Sequence, residues 1–493
     1  MDKYILSIDQ GTTSTRAILF NHYGQALCIT QKEVNCIFPN PGWVEVDAME
    51  IYQSAIDVID ELFEKSKISP ASIECIGITN QRETTVMWDK ETGIPVYNAI
   101  VWQSRQTADI CDAHEKEKDF IRERTGLIIN PYFSASKIRY LLDHVPNGQA
   151  RAERGELICG TIDSWLIYKL TKGDVHATDV SNASRTMLFN INTMKWDADL
   201  CKLFGVPMAM LPKVHPSSFK YGHFEYKNKK IPITGVAGDQ QAALFGQTCF
   251  DKGDCKNTYG TGCFMLLNTG DQPTFSKSGL LTTVAWQIGK EVTYALEGSI
   301  FVGGAVIQWL RDEMKMIPDS AASEECANRA SGKENNVYIV PAFVGLATPY
   351  WDNEARGAVF GLTRGTNKDE FVKAAIESIA YQFKDVFEVM KKEAHCQINT
   401  LQVDGGATKN KYLLQFQSDI CGITIKLPQC LETTALGAAY LAGLCTGYYA
   451  SVAEIKSIHS FQAIYEPKMR EALVNKKYRG WKLAVKATRV FKP

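Results

Sequence analysis

The octet Asp9-Gln10-Gly11-Thr12-Thr13-Ser14-Thr15-Arg16 lies between two apolar runs, residues 4–8 and 17–20. Strand, Gly/Thr turn and strand predict a hairpin whose tip offers backbone N–H groups and hydroxyls, a combination suited to phosphate oxygens. An aspartate at the mouth of such a turn can hold a hard cation or its waters. Gly-Thr turns also join many ordinary hairpins, so one copy decides little. This chain has two. Thr258-Tyr259-Gly260-Thr261-Gly262 follows an approach segment at 254–257 and precedes the run Cys263-Phe264-Met265-Leu266-Leu267. That run is expected to end in a turn at Asn268-Thr269-Gly270, as the first ends at Asn21-His22-Tyr23-Gly24. Two such hairpins half a chain apart predict two halves of similar design, each giving one phosphate-facing loop to a shared cleft.

Size agrees with that division. At 493 residues the chain is too long for one core, and two domains are expected. We place the boundary in the polar, Gly-containing stretch near 247–256, giving domains at 1–250 and 251–493. A net charge of -1 gives no reason to expect a nucleic-acid partner. The 14 cysteines form no C-x-x-C pair and the 8 histidines no ligand-spaced cluster, which fits core thiols in a reducing compartment. The chain enters a strand at once without a signal-peptide pattern, so a soluble cytoplasmic protein is expected. The apolar segment 435–445 is too short to span a bilayer and reads as a packed core helix, with no membrane insertion. The basic tail, 466–493, reads as a solvated helix with Met469, Leu473 and Trp481 facing inward.

Asp47-Ala48-Met49-Glu50 resembles a capping box, and Ile51, Ala55, Ile59, Leu62 and Phe63 continue it at helical spacing. The next apolar run, 73–79, predicts a strand ending at Asn80-Gln81-Arg82-Glu83. Open α/β sheets place ligands at such carboxyl ends. The second half repeats this order: a helix from Asn367-Lys368-Asp369-Glu370 to about residue 393, then a strand at 401–403 ending in Asp404-Gly405-Gly406. A third site of this kind is Gly238-Asp239-Gln240, leading into a helix at 241–245.

The chemistry follows from these loops. Two phosphate hairpins suit a nucleotide held between lobes, yet neither a G-x-x-x-x-G-K-[ST] loop nor a protein-kinase signature is present. Phosphoryl transfer depends mainly on positioning and charge neutralisation, with a carboxylate taking the attacking hydroxyl's proton. Asp239 is the best candidate for that base, although Gly-Asp before a helix reads equally as an N-cap. Arg82 and Glu83 set donors beside an acceptor, a pairing suited to adjacent hydroxyls, and equally compatible with a surface ion pair. Gly405-Gly406 before a helix lets a flat or anionic group approach backbone, or simply permits tight packing.

Together the motifs resemble the FGGY carbohydrate kinases of the actin-like superfamily, specifically their glycerol kinase branch, over residues 9–445. The resemblance rests on Ser7-Ile8-Asp9-Gln10-Gly11-Thr12-Thr13-Ser14, Gly77-Ile78-Thr79-Asn80-Gln81-Arg82-Glu83-Thr84-Thr85, Gly238-Asp239-Gln240-Gln241-Ala242-Ala243, and Tyr259-Gly260-Thr261-Gly262-Cys263-Phe264-Met265. It implies an α/β fold of two actin-like (ribonuclease H-like) domains around a deep nucleotide and substrate cleft. It also implies ATP-dependent phosphorylation of glycerol to sn-glycerol 3-phosphate with Mg²⁺, the entry step of glycerol catabolism, in a cytoplasmic homodimer or homotetramer. By the same resemblance, Arg82, Glu83, Tyr132, Asp239 and Gln240 would bind the glycerol hydroxyls, with Asp239 the base. Trp102 and Phe264 would cover the carbon chain. Thr12, Thr13, Ser14, Arg16 and Thr261 would hold phosphates, Gly304, Gln308, Gly406 and Asn410 the adenosine side, and Asp9 the metal. Glycerol has six heavy atoms, so a ceiling of about 1.5 kcal/mol per atom limits its binding to roughly 9 kcal/mol. Nearly every hydroxyl must therefore be paired.

Some bacterial members carry a phosphorylated histidine, or a fructose 1,6-bisphosphate site, in the region corresponding to 219–232. Here that region is short, with Glu225 nearest the phosphorylated position and His223 two residues away. Two other readings share the hairpins: a sister kinase acting on a pentose or pentulose, and a non-enzymatic nucleotide switch. The Arg82-Glu83 pair and Trp102 favour a small triol over the first. A base facing an acceptor hydroxyl is superfluous in the second.

Overall fold

The computed structural model describes residues 2–332, 336–352, 354–398 and 400–491. One thirteen-stranded sheet organises them. Its strands are β1 (Tyr4–Gln10), β2 (Ser14–Phe20), β3 (Ala26–Glu33), β4 (Ile73–Asn80), β5 (Ser218–Tyr226), β6 (Lys229–Gly238), β7 (Cys255–Tyr259), β8 (Cys263–Gly270), β9 (Leu281–Ile288), β10 (Glu291–Ile300), β11 (Thr400–Gly405), β12 (Thr424–Pro428) and β13 (Phe461–Tyr465). They lie side by side as β13-β12-β11-β7-β8-β10-β9-β5-β6-β4-β1-β2-β3.

That order contains one unit twice. Hairpin β1–β2 is extended by antiparallel β3 on one side and by parallel β4 and β6 on the other. Hairpin β7–β8 is extended by antiparallel β10 and, on its other side, by parallel β11 and β12. The units meet where β5 lies beside β9, through the pair Ser218 and Ile288. Strands β1 and β4 are buried almost throughout, which explains their continuous apolar runs. The second hairpin differs from expectation in length: β8 continues through Asn268 and Thr269 to Gly270.

Seven helices matter for the site: α1 (Ala48–Ser66), α2 (Asp239–Gly246), α3 (Ala305–Asp312), α4 (Lys368–Glu393), α5 (Lys411–Cys421), α6 (Thr433–Thr446) and α7 (Glu471–Val490). Asp47 caps α1 by accepting from the Met49 N–H at 2.7 Å. Glu50 does not complete a capping box there. Its carboxylate accepts instead from the backbone and side chain of Asn35, at 3.0 and 2.8 Å. The reciprocal box does form at α4, where Asn367 and Glu370 bond each other's backbone N–H.

Helix α6 is buried along most of its length, as its small apolar residues predict. Its neighbours are unexpected. A Cβ on Gly77 of β4 would lie 2.3 Å from the Ala438 carbonyl oxygen, and one on Gly235 of β6 would lie 2.4 Å from the Ala442 nitrogen. A helix from the last part of the chain thus packs on strands of the first unit. Helix α7 covers the second unit with Trp481, Ala484, Val485 and Thr488, which share one face at i, i+3, i+4 and i+7. Trp481 is fully buried and its Nε1 donates to Asp385 at 2.7 Å, and Met469 packs at the core edge just before the helix. Leu473 faces solvent at 38% exposure, against expectation, because it lies in the first turn, off that inward stripe. All fourteen cysteines are free thiols, and among the described residues no helix is long and apolar enough to cross a membrane.

Candidate active site

Strand β4 ends at Asn80, and the next residues turn inward rather than toward solvent. Arg82 and Glu83 are 2% and 1% exposed, which removes the surface ion-pair reading. Glu83 adopts φ 60°, a left-handed conformation that costs a non-glycine residue on the order of 1–3 kcal/mol and is typically retained where function requires it. Both side chains enter a buried cluster of four charges. Glu297 of β10 accepts from Arg82 Nη1 at 2.5 Å and Nη2 at 3.1 Å, and from Arg185 Nη2 at 3.0 Å. Arg185 Nε in turn donates to Glu83 at 2.7 Å. Burial alone would raise the Glu297 pKa, but Arg185 and Arg82 outweigh it and hold the carboxyl down to about 2. For Glu83 burial wins over Arg82 and Arg185, and its pKa is raised.

Arg82 also places its Nε 3.2 Å from Asp239 Oδ1 and its Nη2 3.4 Å from the Tyr132 hydroxyl. Its aliphatic stem crosses the end of β6, where a Cβ on Gly238 would meet Cγ at 2.7 Å and Cδ at 2.8 Å. Gly238→Ala should therefore push Arg82 out of register. We expect the displaced guanidinium to weaken the buried charge cluster and lower the thermal midpoint, checked by melting curves.

Asp239 is the first residue of α2, with Gly238 as N-cap, so the helix begins two residues earlier than expected and the side chain is not its cap. Its Oδ1 accepts from the Gln240 N–H at 2.7 Å, while the side chain keeps 32% exposure. Burial of its surroundings raises its pKa; Arg82, Lys256 and the Gln240 N–H pull the other way, and Asp9 adds to the rise. Asp239 thus stands within electrostatic reach of both hairpins, through Asp9 of β1 and Lys256 of β7.

Within the first hairpin Asp9 and Arg16 are directly opposed in register, and they form an ion pair at 2.5 Å. The other Nη of Arg16 holds Glu432, just before α6, at 2.5 Å. Arg16 is therefore committed to two carboxylates. At the tip, the Gly11 N–H bonds the Ser14 carbonyl at 2.8 Å and Thr13 is exposed. Thr12 accepts from the Trp102 indole at 3.0 Å, and Trp102 meets Tyr132 edge-on with ring centroids 5.5 Å apart. The tip of the first hairpin and the Trp102–Tyr132 ring pair are thereby joined. Tyr132 is itself fixed by Lys137, whose buried ammonium donates to the carbonyls of Pro131, Tyr132 and Phe133.

The second hairpin leans on the start of α3. Gly303 and Gly304 donate to the carbonyls of Thr261 and Gly260 at 2.8 and 2.9 Å, leaving Thr261 and Gln308 exposed. The two glycines after β11 separate in role. Gly405, at φ 91°, would place a Cβ 2.2 Å from the Tyr259 carbonyl oxygen, whereas a Cβ on Gly406 would meet nothing within 4 Å. Tight packing explains the first and open space the second. Asn410 caps α5 by accepting from the Leu413 N–H at 2.9 Å, and its amide donates to Ser323 at 3.2 Å. Phe264 is half-buried on β8, on the strand that follows the tip.

The structure thus gathers Arg82, Glu83, Tyr132, Asp239, Gln240, Trp102 and Asp9 around one region. Sequence reasoning missed Arg185, Glu297, Lys137 and Lys256. A signal existed for Glu297, a lone acid in the apolar run Tyr294-Ala295-Leu296, whereas Arg185 had none. His223 is exposed on β5, and neighbouring Glu225 pairs with Lys172 at 2.9 Å.

Comparison with known proteins agrees across the whole length. The model for the N-terminal domain of the FGGY family of carbohydrate kinases matches residues 4–246, and that for the C-terminal domain matches 255–445. The glycerol kinase of Bacillus licheniformis is 56% identical, and that of Thermus thermophilus 55%, each with both chains covered in full. Among solved structures, Plasmodium falciparum glycerol kinase with ADP superposes with a TM-score of 0.93 at 37% identity, over 99% of this chain and 98% of that one. A ligand-bound xylulose kinase from Lactobacillus acidophilus has a TM-score of 0.88 at 23% identity, over 98% of each chain, a likeness of fold. The chain belongs to the FGGY family of carbohydrate kinases, among its glycerol kinases.

Proposed function

We propose that this chain transfers the γ-phosphoryl group of ATP to a terminal hydroxyl of glycerol, with Asp239 as general base. The observation that carries the assignment is the placement of Asp239. It has an exposed edge, a carboxylate ion-paired with Arg82 and bonded by the Gln240 N–H, and electrostatic contact with residues of both hairpins. A loose transition state asks little more of a base than correct position. Arg82, Glu83, Tyr132 and Gln240 would pair the hydroxyls, while Trp102 and Phe264 cover carbon. Thr12, Thr13 and Ser14 from one hairpin and Thr261 from the other would receive the phosphates, with Arg16 tying the first hairpin to Asp9 and Glu432 beside them. Gly304, Gln308, Gly406 and Asn410 would border the adenosine. The domains divide near residue 250, and the enzyme works in the cytoplasm as a homodimer or homotetramer.

Mg²⁺ fits this set. Among the described residues no cluster of three or more His, Cys, Asp or Glu could hold a resident ion. A magnesium ion carried by nucleotide phosphates needs only one or two carboxylates. Asp9 offers one at the mouth of the first hairpin, where its carboxylate already pairs with the Arg16 cation. When bound, the ion would neutralise charge on the β- and γ-phosphates.

The test is ADP release followed with a coupled assay. Strong dependence on glycerol, with little ATP turnover in its absence, is expected. ATP hydrolysis indifferent to glycerol would defeat the assignment. The open space at Gly406 gives a second check. Gly406→Ala should fold normally and raise the KM for ATP, whereas Gly405→Ala, with its left-handed φ and 2.2 Å clash, should lower the thermal midpoint. Melting curves and ATP titrations of both variants distinguish these outcomes.

A further inference from the structure

Lys256 is wholly buried on β7, yet no role in binding or chemistry has fallen to it so far. Its ammonium donates to Gln240 Oε1 at 2.5 Å, Thr258 Oγ1 at 2.9 Å and the Phe264 carbonyl at 3.3 Å. Its three N–H donors therefore meet three acceptors. Gln240 belongs to the acceptor region of the first unit. Thr258 and Phe264 flank the tip of the second hairpin on its two strands. One side chain thus ties the phosphate loop of the second unit to the residue adjoining the candidate base.

A neutral side chain could fill the same space. Burying an ammonium costs several kcal/mol unless its charge is used. The groups whose charge acts on it are Asp404 of β11, Asp239 of α2 and Glu297 of β10, with Arg82 opposing them. Asp404 stands directly beside Thr258 in register, and Thr433 and Gln247 bond one of its oxygens. Burial is the largest influence on Lys256 and brings its pKa down to about 8, so the charge is present at neutral pH. Reciprocally, Lys256 lowers the proton affinity of Asp239.

We propose that Lys256 is a positioning residue that locks the second phosphate hairpin onto the acceptor site and keeps Asp239 ionised for proton abstraction. The proposal rests on the reading of Asp239 as the base. Its geometric part acts through Gln240 and the Phe264 backbone, which set the glycerol pocket. Its electrostatic part acts through charge alone, and the two are separable by substitution.

The experiment compares Lys256→Met and Lys256→Arg with wild type and Asp239→Asn, recording kcat, both KM values and the pH profile of kcat. Lys256→Met removes both parts. We expect kcat to fall by about 10²-fold, as for a misplaced reacting group, glycerol KM to rise, and the acid limb to move to higher pH. Lys256→Arg keeps the charge but its planar fork cannot meet the same three acceptors, so kcat should fall while the acid limb stays in place. A folded Lys256→Met with wild-type glycerol KM and an unmoved acid limb overturns the proposal. Where Lys256→Met does not fold, Lys256→Arg decides: wild-type kcat and glycerol KM in that variant overturn it equally. Failure of the underlying reading looks different, because Asp239→Asn would then retain turnover.

Discussion

Asp239→Asn should lose roughly 10²–10⁴ in glycerol-dependent kcat, about 3–5.5 kcal/mol of barrier, while ATP affinity is kept. Asparagine preserves the shape of the side chain and can still accept from the Gln240 N–H, so folding should be unaffected. It cannot take a proton from the attacking hydroxyl. Because the pKa of Asp239 is raised, chiefly by burial, the wild-type rate should fall as pH drops through a range above that of an ordinary carboxylate. The residues proposed to receive the nucleotide, at the hairpin tips and around Gly406, do not include this carboxylate, so ATP binding should survive the substitution. Turnover within tenfold of wild type would remove Asp239 from the mechanism.

Glu297→Ala should have the largest effect on stability. Glu297 is the shared acceptor for two buried guanidiniums, Arg82 and Arg185, and the Nη1 of Arg185 already lacks a hydrogen-bond partner. Removing one member of a buried ion pair leaves uncompensated charge and costs about 3–5 kcal/mol. Urea unfolding should show this as a lowered midpoint, and glycerol KM should rise because Arg82 loses its bidentate support. The pH dependence has a definite sign. The folded pKa of Glu297 is held near 2, below its ordinary value of 4.5. Its contribution is therefore complete above about 4.5 and is lost as pH falls from there through about 2. Wild type should lose this stabilisation in that window and Glu297→Ala should not. An unchanged urea midpoint would mean that the four charges are individually satisfied without Glu297.

The halves of this fold were legible because each hairpin is a local pattern: strand, Gly/Thr turn, strand, with its partners next in the chain. The same locality made α4 readable, since Asn367 and Glu370 form a capping box across three residues. What was not legible is long-range. Glu50 looked like a capping residue until Asn35, from a different segment, competed for its carboxylate. Helix α6 was expected to belong with the second half, and only the close approach of Ala438 and Ala442 to Gly77 and Gly235 assigns it to strands of the first.

The candidate site divides in the same way. Asp239, Arg82 and Glu83 stand at strand ends and helix starts, positions that sequence can mark. Arg185, Glu297 and Lys256 gain their meaning from partners 102, 215 and 16 residues distant, and no local pattern encodes those pairings. Arg16 and Asn410 likewise have structural partners that the sequence did not reveal. Arg16 is drawn to Asp9 across the hairpin and to Glu432 from far along the chain, and Asn410 serves first as a helix cap.

Two hairpins, one from each repeated unit, gripping a single triphosphate beside Asp239 is the claim on which the rest depends. A crystal structure of the enzyme with a non-hydrolysable ATP analogue, Mg²⁺ and glycerol tests it most directly. The expected result has phosphate oxygens bonded by both the Thr12–Thr13 turn and Thr261, with a glycerol hydroxyl within hydrogen-bond distance of Asp239. Phosphates held by one hairpin alone, or glycerol bound away from Asp239, would contradict it.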